Sequence, residues 1–512
     1  MKASDGRKAL SLLPLAISVL LLLFSVHGDS LWMDEGQTFS LLRGGTFSSM
    51  VHDLSSRGGA VSGMPLFFVL EFFWCQLFGL GEFAMRSMNY VFAALVLWGT
   101  IRLLAEAKLP RWTLPLFAVH PVLVYYMNEA RPYVALYACG LWGFLFLFRY
   151  AAAPRKRHLA GFFFCLLAGC ALHMMFLFAG AAYACFLLYL LLAKKLVLRD
   201  HLAAGLPFVP FFAALGAYYL RFALGAPELG FPTSPVSGIF QIGYYFTGLG
   251  GLGWSRQALR TYDFALSPRI AVELSAALLA WLAFLVCCFR AKVLRNGRTA
   301  VAFACAAAAL VAFLGANIVL GTRFWERHAI YLLPAFMFVL ASAGRDILRT
   351  LSGWWPKVAV GALLAANFLS ACNLAALPEY RKEDYRTAIA IARSLKPDRI
   401  FYQGNRFTLN YYGLSGVWGR DLAKQPEAPI ESDVNISTAT WEELRSLLGR
   451  VQGRTVLILL DRDEFDTAGF YKILSGIGRH ANAFAVLDAS DIPPEALSPE
   501  TNPLWTRAKL AW

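Results

Sequence analysis

Runs of about 17–22 apolar residues recur along this chain from its N-terminus to about residue 376. Wound as a helix, each is long enough to cross a hydrocarbon core of ~30 Å. Lipid offers no hydrogen bonds, so a run of this length must satisfy its backbone internally, as a helix does. Composition agrees: 58% of the 512 residues are hydrophobic and only 16% charged, where a soluble chain carries about a quarter charged. The expected class is a polytopic α-helical membrane protein. The first run, ALSLLPLAISVLLLLFSV, follows Lys2, Arg7 and Lys8 as a secretory signal would. Its apolar core is too long for a signal, and HGDSLW after it lacks a small-residue cleavage site, so it reads as an uncleaved anchor.

A net charge of +14 would suit a nucleic-acid partner, but most basic residues of this half lie in short loops between apolar runs. There they report topology, and no nucleic-acid partner is expected. The clusters are Lys2/Arg7/Lys8, Arg102/Lys108/Arg111, Arg155/Lys156/Arg157, Lys194/Lys195/Arg199, Arg290/Lys292/Arg295/Arg298 and Arg345/Arg349/Lys357. Placing all of them in the cytoplasm gives eleven spans, near 9–27, 87–107, 112–127, 132–150, 158–176, 178–194, 201–221, 270–289, 300–320, 329–344 and 357–376. The stretch PLFFVLEFFWCQLFGL, residues 65–80, must then not cross. It carries Glu71 and Gln76, and an acid at the bilayer centre costs ~2.5–3.5 kcal/mol. It is expected to be an interfacial or re-entrant helix within a long outer loop, 28–86; a twelfth span with Glu71 paired internally is the alternative.

An odd span count puts the C-terminus outside. The membrane domain is expected over 1–377, and a small extracytoplasmic α/β domain over 378–512, where charge density rises after Pro378. YRKEDYRTAIAIARSL reads as an amphipathic helix, and DRIFYQ, RTVLILLDRDEF and NAFAVLDA as strands. TWEELRSLLG reads as a helix with Thr440 as N-cap and Glu443 closing a capping box. All nine cysteines fall in apolar stretches without CxxC spacing, which supports neither a disulfide framework nor a thiolate metal site.

With topology set by basic residues, the polar groups left over at span ends emerge on one side. They are Asp34/Glu35 in LWMDEGQTFSLLRGG, Arg86, NEARPY (128–133) with Arg131, His173, and TRFWERH (322–328) with Arg327 and His328. A carboxylate at a membrane surface can act as general base toward a hydroxyl or amine. Arginines match phosphate oxygens with a planar fork of donors, and Arg or His can stabilise the charge of a departing phosphate. A lipid-linked phosphosugar needs both functions. Each residue also has a plainer use: helix-end solvation for the acids, a salt bridge to Glu129 for Arg131, snorkelling for Arg86, core packing for His173, and interface anchoring for Arg327 and His328. No cofactor is implied; a divalent metal on Asp34, Glu35, His27, His52 and Asp53 would have suitable donor atoms but irregular spacing. GLGGLG (248–253) matches a dinucleotide pattern but lies in an outer loop, 222–269, and reads as loop flexibility. NIS (435–437) is a glycosylation sequon in a eukaryotic cell only.

Taken in order, the N-terminal span with its DE pair, a Pro-Leu-initiated stretch, FGLGEFAMRSMN, YYMNEARPYVALYA, a His-containing helix and ERHAIYLLP resemble bacterial GT-C membrane glycosyltransferases. The resemblance is to the protein-mannosyltransferase/aminoarabinose-transferase-like group (glycosyltransferase family 39-like), and covers residues 9–345. EDYRTAIAIARSLKPDRIFYQGNRFTLNYYGL is similar to the periplasmic tail domain of many bacterial members. The resemblance implies a multi-pass inner-membrane enzyme with its active site and C-terminal domain outside the cytoplasm. It would move a sugar from a polyprenyl-phosphate carrier to a glycan, lipid or protein acceptor, with inversion at the anomeric carbon. By that match Asp34 is the catalytic acid-base residue, Glu35 its neighbour, and Arg86, Arg131 and Arg327 hold the donor phosphate. Two positions depart from the pattern: Met64 stands where the group carries His or Lys before Pro-Leu, and His173 precedes Met174 and Met175 where Tyr is common. The alternative function, a lipid or sugar-lipid flippase, would need polar groups at span midpoints and on both faces; here the span interiors are nearly free of charge.

Overall fold

A computed structural model of the chain describes residues 2–57, 59–222, 235–261, 266–320, 325–377, 380–382, 384–424, 430–437, 439–460, 470, 474, 479–481 and 484–492. Parts of the expected outer loop 222–269, residues 322–324 of TRFWERH, 461–465 of the strand RTVLILLDRDEF and the end of the tail lie outside the described residues. The chain forms two compact units. One comprises Met1–His27, Gly45–Trp254 and Ala265–Ala376; the other Gly28–Gly44, Ser255–Phe264 and Leu377–Trp512.

The first unit is helical, and its fold is that of a polytopic membrane protein. Among the described residues, eight helices are long and apolar enough to cross a bilayer: Glu82–Ala107, Tyr133–Ala152, Met174–Leu192, Leu198–Phe222, Pro268–Arg290, Gly297–Val319, Glu326–Thr350 and Trp355–Ala376. Leu278, Leu282, Leu285 and Phe289 form an exposed stripe along Pro268–Arg290, the helical spacing of a face that meets lipid. The expected spans 9–27 and 158–176 correspond to the helices Lys2–Phe24 and Lys156–Leu172. The expected span 112–127 needs correction, because it is two short helices, Leu114–Ala118 and Pro121–Met127. Pro121 has no N–H to continue the first, and the His120 ring instead caps the second by accepting from Val122 N at 3.3 Å.

The 65–80 stretch forms a helix of 14 residues, Pro65–Phe78. At 1.5 Å per residue that is about 21 Å, well short of a ~30 Å hydrocarbon core. Glu71 is wholly buried on its inner face, where Cys75 Sγ donates to it at 3.7 Å. The glycine run 248–253 is not the flexible loop expected. Gly251 N donates to Ser370 Oγ at 2.9 Å, and a Cβ at Gly251 would collide with the Ser370 carbonyl. These glycines allow a close approach to the helix Trp355–Ala376.

The second unit is α/β. Its strands are β1 Arg399–Tyr402, β2 Val417–Trp418, β3 Val434–Asn435, β4 Thr455–Leu460, β5 Arg479–Ala481 and β6 Phe484–Asp488. They form one sheet in the order β2-β3-β1-β4-β6-β5, parallel from β2 to β4 and antiparallel at β6 and β5. Phe401, Leu457 and Leu459 pack with Trp441, Leu444 and Leu447 on one face; Ile400, Tyr402 and Ile458 pack with Tyr385, Ala388 and Ile389 on the other. The helix Tyr385–Ser394 is capped by Asp384, whose Oδ1 accepts from Thr387 N at 3.0 Å. The expected capping box is present: Thr440 Oγ1 accepts from Glu443 N at 3.2 Å and Glu443 Oε2 from Thr440 N at 2.7 Å. Asn435 is buried in β3 and bonded to Ser437 at 2.7 Å, so NIS is no surface acceptor for a glycan.

The expected outer loop 28–86 is divided between the units, for Gly28–Gly44 joins the tail. Gly36 is the reason the helix Met33–Leu42 fits so closely on the helix Arg406–Tyr411: a Cβ there would overlap Thr408. Thr408 Oγ1 donates to Trp32 O at 3.3 Å, Leu31 N donates to Tyr412 Oη at 2.7 Å, and Phe39 meets Tyr411 edge-on at 4.7 Å.

Candidate active site

Within the membrane unit, four of the sequence-derived site residues come together. Lys156–Leu172 ends at His173, whose extended backbone turns the chain into the next helix. Met174 N donates to Gly63 O at 2.9 Å, which brings Met64 beside this corner. His173 lies 5.4 Å from the His328 ring and 6.5 Å from the Tyr133 ring, centroid to centroid. The Arg327 guanidinium sits over Tyr133 at 5.6 Å, a cation–π contact. Arg131 Nη1 reaches Met64 Sδ at 4.0 Å, and both Arg131 and Arg327 are within electrostatic range of His173. Arg131 and His173 are buried.

Local bonds fix these groups. His173 Nδ1 accepts from Met175 N at 3.1 Å and His328 Nδ1 from Trp325 N at 3.3 Å. A ring nitrogen that accepts carries no proton, so in the neutral ring Nε2 is the donor. Asn89 holds the NEARPY turn: its Nδ2 donates to the carbonyls of Tyr126, Met127 and Glu129 at 3.4, 3.1 and 2.7 Å. Tyr126 Oη donates to Glu326 Oε1 at 2.6 Å, tying that turn to the segment bearing Arg327 and His328. Two guanidinium groups and two imidazole donors in a partly buried corner suit a phosphate. Arg86 stands at a neighbouring junction. It is buried, and its Nη1 donates to His27 O at 2.9 Å, while His27 N donates to Asn128 Oδ1 at 2.9 Å.

Asp34 and Glu35 belong to the other unit, in the first turn of Met33–Leu42. Both are buried. Glu35 Oε2 accepts from Trp32 N at 3.2 Å, a capping role at the positive end of the helix dipole. The Trp32 ring beside them carries two cations, Lys382 Nζ at 5.2 Å and the Arg256 guanidinium at 5.7 Å from its centroid. Among the described residues, no three His, Cys, Asp or Glu side chains gather as a metal site. Asn89, Tyr126, Glu326, Arg256 and Lys382 are not among the sequence-derived site residues. Glu326 and Lys382 sit in the charged strings WERH and YRKED, a local signal; the roles of the others rest on contacts distant in sequence.

Neither a protein-family profile nor a curated protein sequence matches this chain. Among solved structures, ArnT from Cupriavidus metallidurans bound to undecaprenyl phosphate aligns over 94% of this chain and 99% of its own, with TM-score 0.50 and 13% identity. The apo state of the same protein aligns over 96% of this chain and 100% of its own, with TM-score 0.51 and 13% identity. The chain has an ArnT-like fold. The likeness runs through both the membrane unit and the α/β tail, so the GT-C-like architecture expected from the sequence describes nearly the whole molecule.

Proposed function

We propose that this protein is a membrane glycosyltransferase that moves a sugar from a polyprenyl-phosphate-linked donor to an acceptor on the extracytoplasmic side. The observation that carries the reading is the ArnT-like fold over almost the whole chain, with undecaprenyl phosphate bound in one ArnT structure. The cluster of buried Arg131 and His173 with half-buried Arg327 and His328 supports it independently, as a set of donors suited to a phosphate. In this reading the cluster binds the donor phosphate and receives the charge as the sugar leaves, with Arg86 contributing from its junction. Asp34 takes the proton of the acceptor hydroxyl or amine. The acceptor's oxygen or nitrogen then bonds to the anomeric carbon, the bond from that carbon to the phosphate oxygen breaks, and its electron pair departs with the lipid phosphate. The anomeric configuration inverts. Glu35 holds the helix start that carries Asp34.

The test is to incubate the purified protein in membranes with a panel of polyprenyl-phosphate hexoses and pentoses and the extracted envelope acceptors. Free polyprenyl phosphate is then measured by mass spectrometry. Release of carrier phosphate with one sugar, dependent on acceptor and protein, is the expected result; no release with any donor contradicts the reading.

A further inference from the structure

The membrane unit also holds a pair of adjoining cavities. An apolar cavity of about 230 Å³ lies between the helices Tyr133–Ala152, Lys156–Leu172, Met174–Leu192, Gly297–Val319 and Glu326–Thr350. Along Tyr133–Ala152 it is lined by Cys139, Gly143, Leu147 and Ala151, one helix face about three turns long. At one end it meets Lys195 and Arg298. There it adjoins a polar cavity of about 420 Å³, with which it shares Phe148, Tyr189, Arg298 and Phe338.

The polar cavity is lined by Arg298, Arg345, Asn296, Thr299 and Ser342. Thr299 and Ser342 are each 1% exposed, and among the described residues neither hydroxyl has a hydrogen-bond partner. The guanidinium groups of Arg298 and Arg345 and the Asn296 amide supply the donors of this cavity, which suit an acceptor-rich guest. Asp346 is the opposing charge: it takes Arg345 Nε at 2.8 Å and Asn296 Nδ2 at 3.1 Å. Arg298 and Lys195 leave the surroundings net positive. The cavity also opens on the start of the helix Gly297–Val319, the positive end of its dipole.

We propose that this pair of cavities binds an anionic membrane phospholipid, its phosphate in the polar chamber and an acyl chain in the apolar one. The polar chamber is separate from the cluster around His173, while the apolar chamber extends to Phe176 and Tyr331 beside it. Arg327 and Arg345 stand near opposite ends of Glu326–Thr350, about 27 Å apart along the axis at 1.5 Å per residue. The two head-group positions therefore serve opposite leaflets. Arg298 and Arg345 belong to the basic clusters assigned to the cytoplasm, where anionic lipids meet basic pockets between helices.

The full-length protein is placed in nanodiscs of phosphatidylcholine with a minor fraction of phosphatidylglycerol, and lipids retained on detergent extraction are counted by native mass spectrometry. Wild type is expected to retain phosphatidylglycerol over phosphatidylcholine by at least an order of magnitude. Arg298→Ala should lose that preference through the head, and Ala306→Phe, which fills the apolar chamber, should lose it through the tail. Circular dichroism and elution volume report whether either variant is folded. Retention unchanged in both folded variants, or no preference in wild type, overturns the proposal. So does inorganic phosphate competing as well as the lipid, which would make the site one for a free anion. Displacement of the phosphatidylglycerol by stoichiometric polyprenyl phosphate also overturns it, because the cavity would then belong to the donor's tail.

Discussion

Adding one methyl group at Gly36 should loosen the helix that carries Asp34. A Cβ there would stand 2.6 Å from Thr408 N and 2.8 Å from Thr408 Cα, and would overlap the Thr408 hydroxyl. The hydroxyl can rotate aside; the backbone atoms cannot. Ordinary contact begins near 3.4 Å, so Met33–Leu42 and Arg406–Tyr411 must part by most of an ångström. Overpacking of this kind costs about 1–3 kcal/mol. In a unit of this size each kcal/mol lowers the melting temperature by ~2–4 °C, so Gly36→Ala should melt on the order of 2–12 °C below wild type. Differential scanning fluorimetry of the full-length protein in detergent reads this directly. Gly28→Ala is the control, since nothing lies within 4 Å of a Cβ there, and it should melt with wild type. The double variant Gly36→Ala/Thr408→Ala should stay destabilised because the backbone contacts persist. Wild-type melting of Gly36→Ala would refute the close approach, and full rescue by the double variant would show that only the hydroxyl was in the way.

Asn89→Leu removes the amide that serves three carbonyls of the NEARPY turn; it should cost about 1–3 kcal/mol, read as a lower melting temperature. Tyr126→Phe deletes the 2.6 Å bond to Glu326, a bond to a charged group worth about 1.5–3 kcal/mol, and is expected to raise KM for the lipid donor more than it lowers kcat. Arg327→Ala should likewise raise donor KM. Burial pushes the Asp488 carboxyl up, but the hydrogen bonds from Ser490 and Arg454 outweigh it and hold it below the usual carboxylate range. Unfolding raises that affinity for a proton, so the contribution is present at neutral pH and lost as pH falls through the folded value. Asp488→Asn should flatten that acid limb in a melting-temperature series against pH.

Local signals were readable in the sequence, and contacts between distant segments were not. Thr440 and Glu443 lie three residues apart, so their capping box could be read from the sequence, as could the helix faces of Tyr385–Ser394. The apolar runs declared the membrane fold because bilayer thickness sets their length. The break within 112–127 had a visible cause in Pro121, but apolar continuity outweighed it. Gly36 carries no local signal, since its partner Thr408 follows hundreds of residues later. The same holds for Tyr126 and Glu326, and for Trp32 beneath Lys382 and Arg256. His173 and His328 were each noticed singly; only packing makes them neighbours. GLGGLG misled because a glycine run reads alike whether it gives freedom or admits a neighbouring helix.

Carrier-phosphate release by Asp34→Asn tests the central claim most directly. The amide keeps the size of the side chain and removes its basicity, so insertion and melting temperature should match wild type. Release from the polyprenyl-phosphate donor that wild type accepts should then fall to the protein-free background. Wild-type turnover by a folded Asp34→Asn protein would contradict the account.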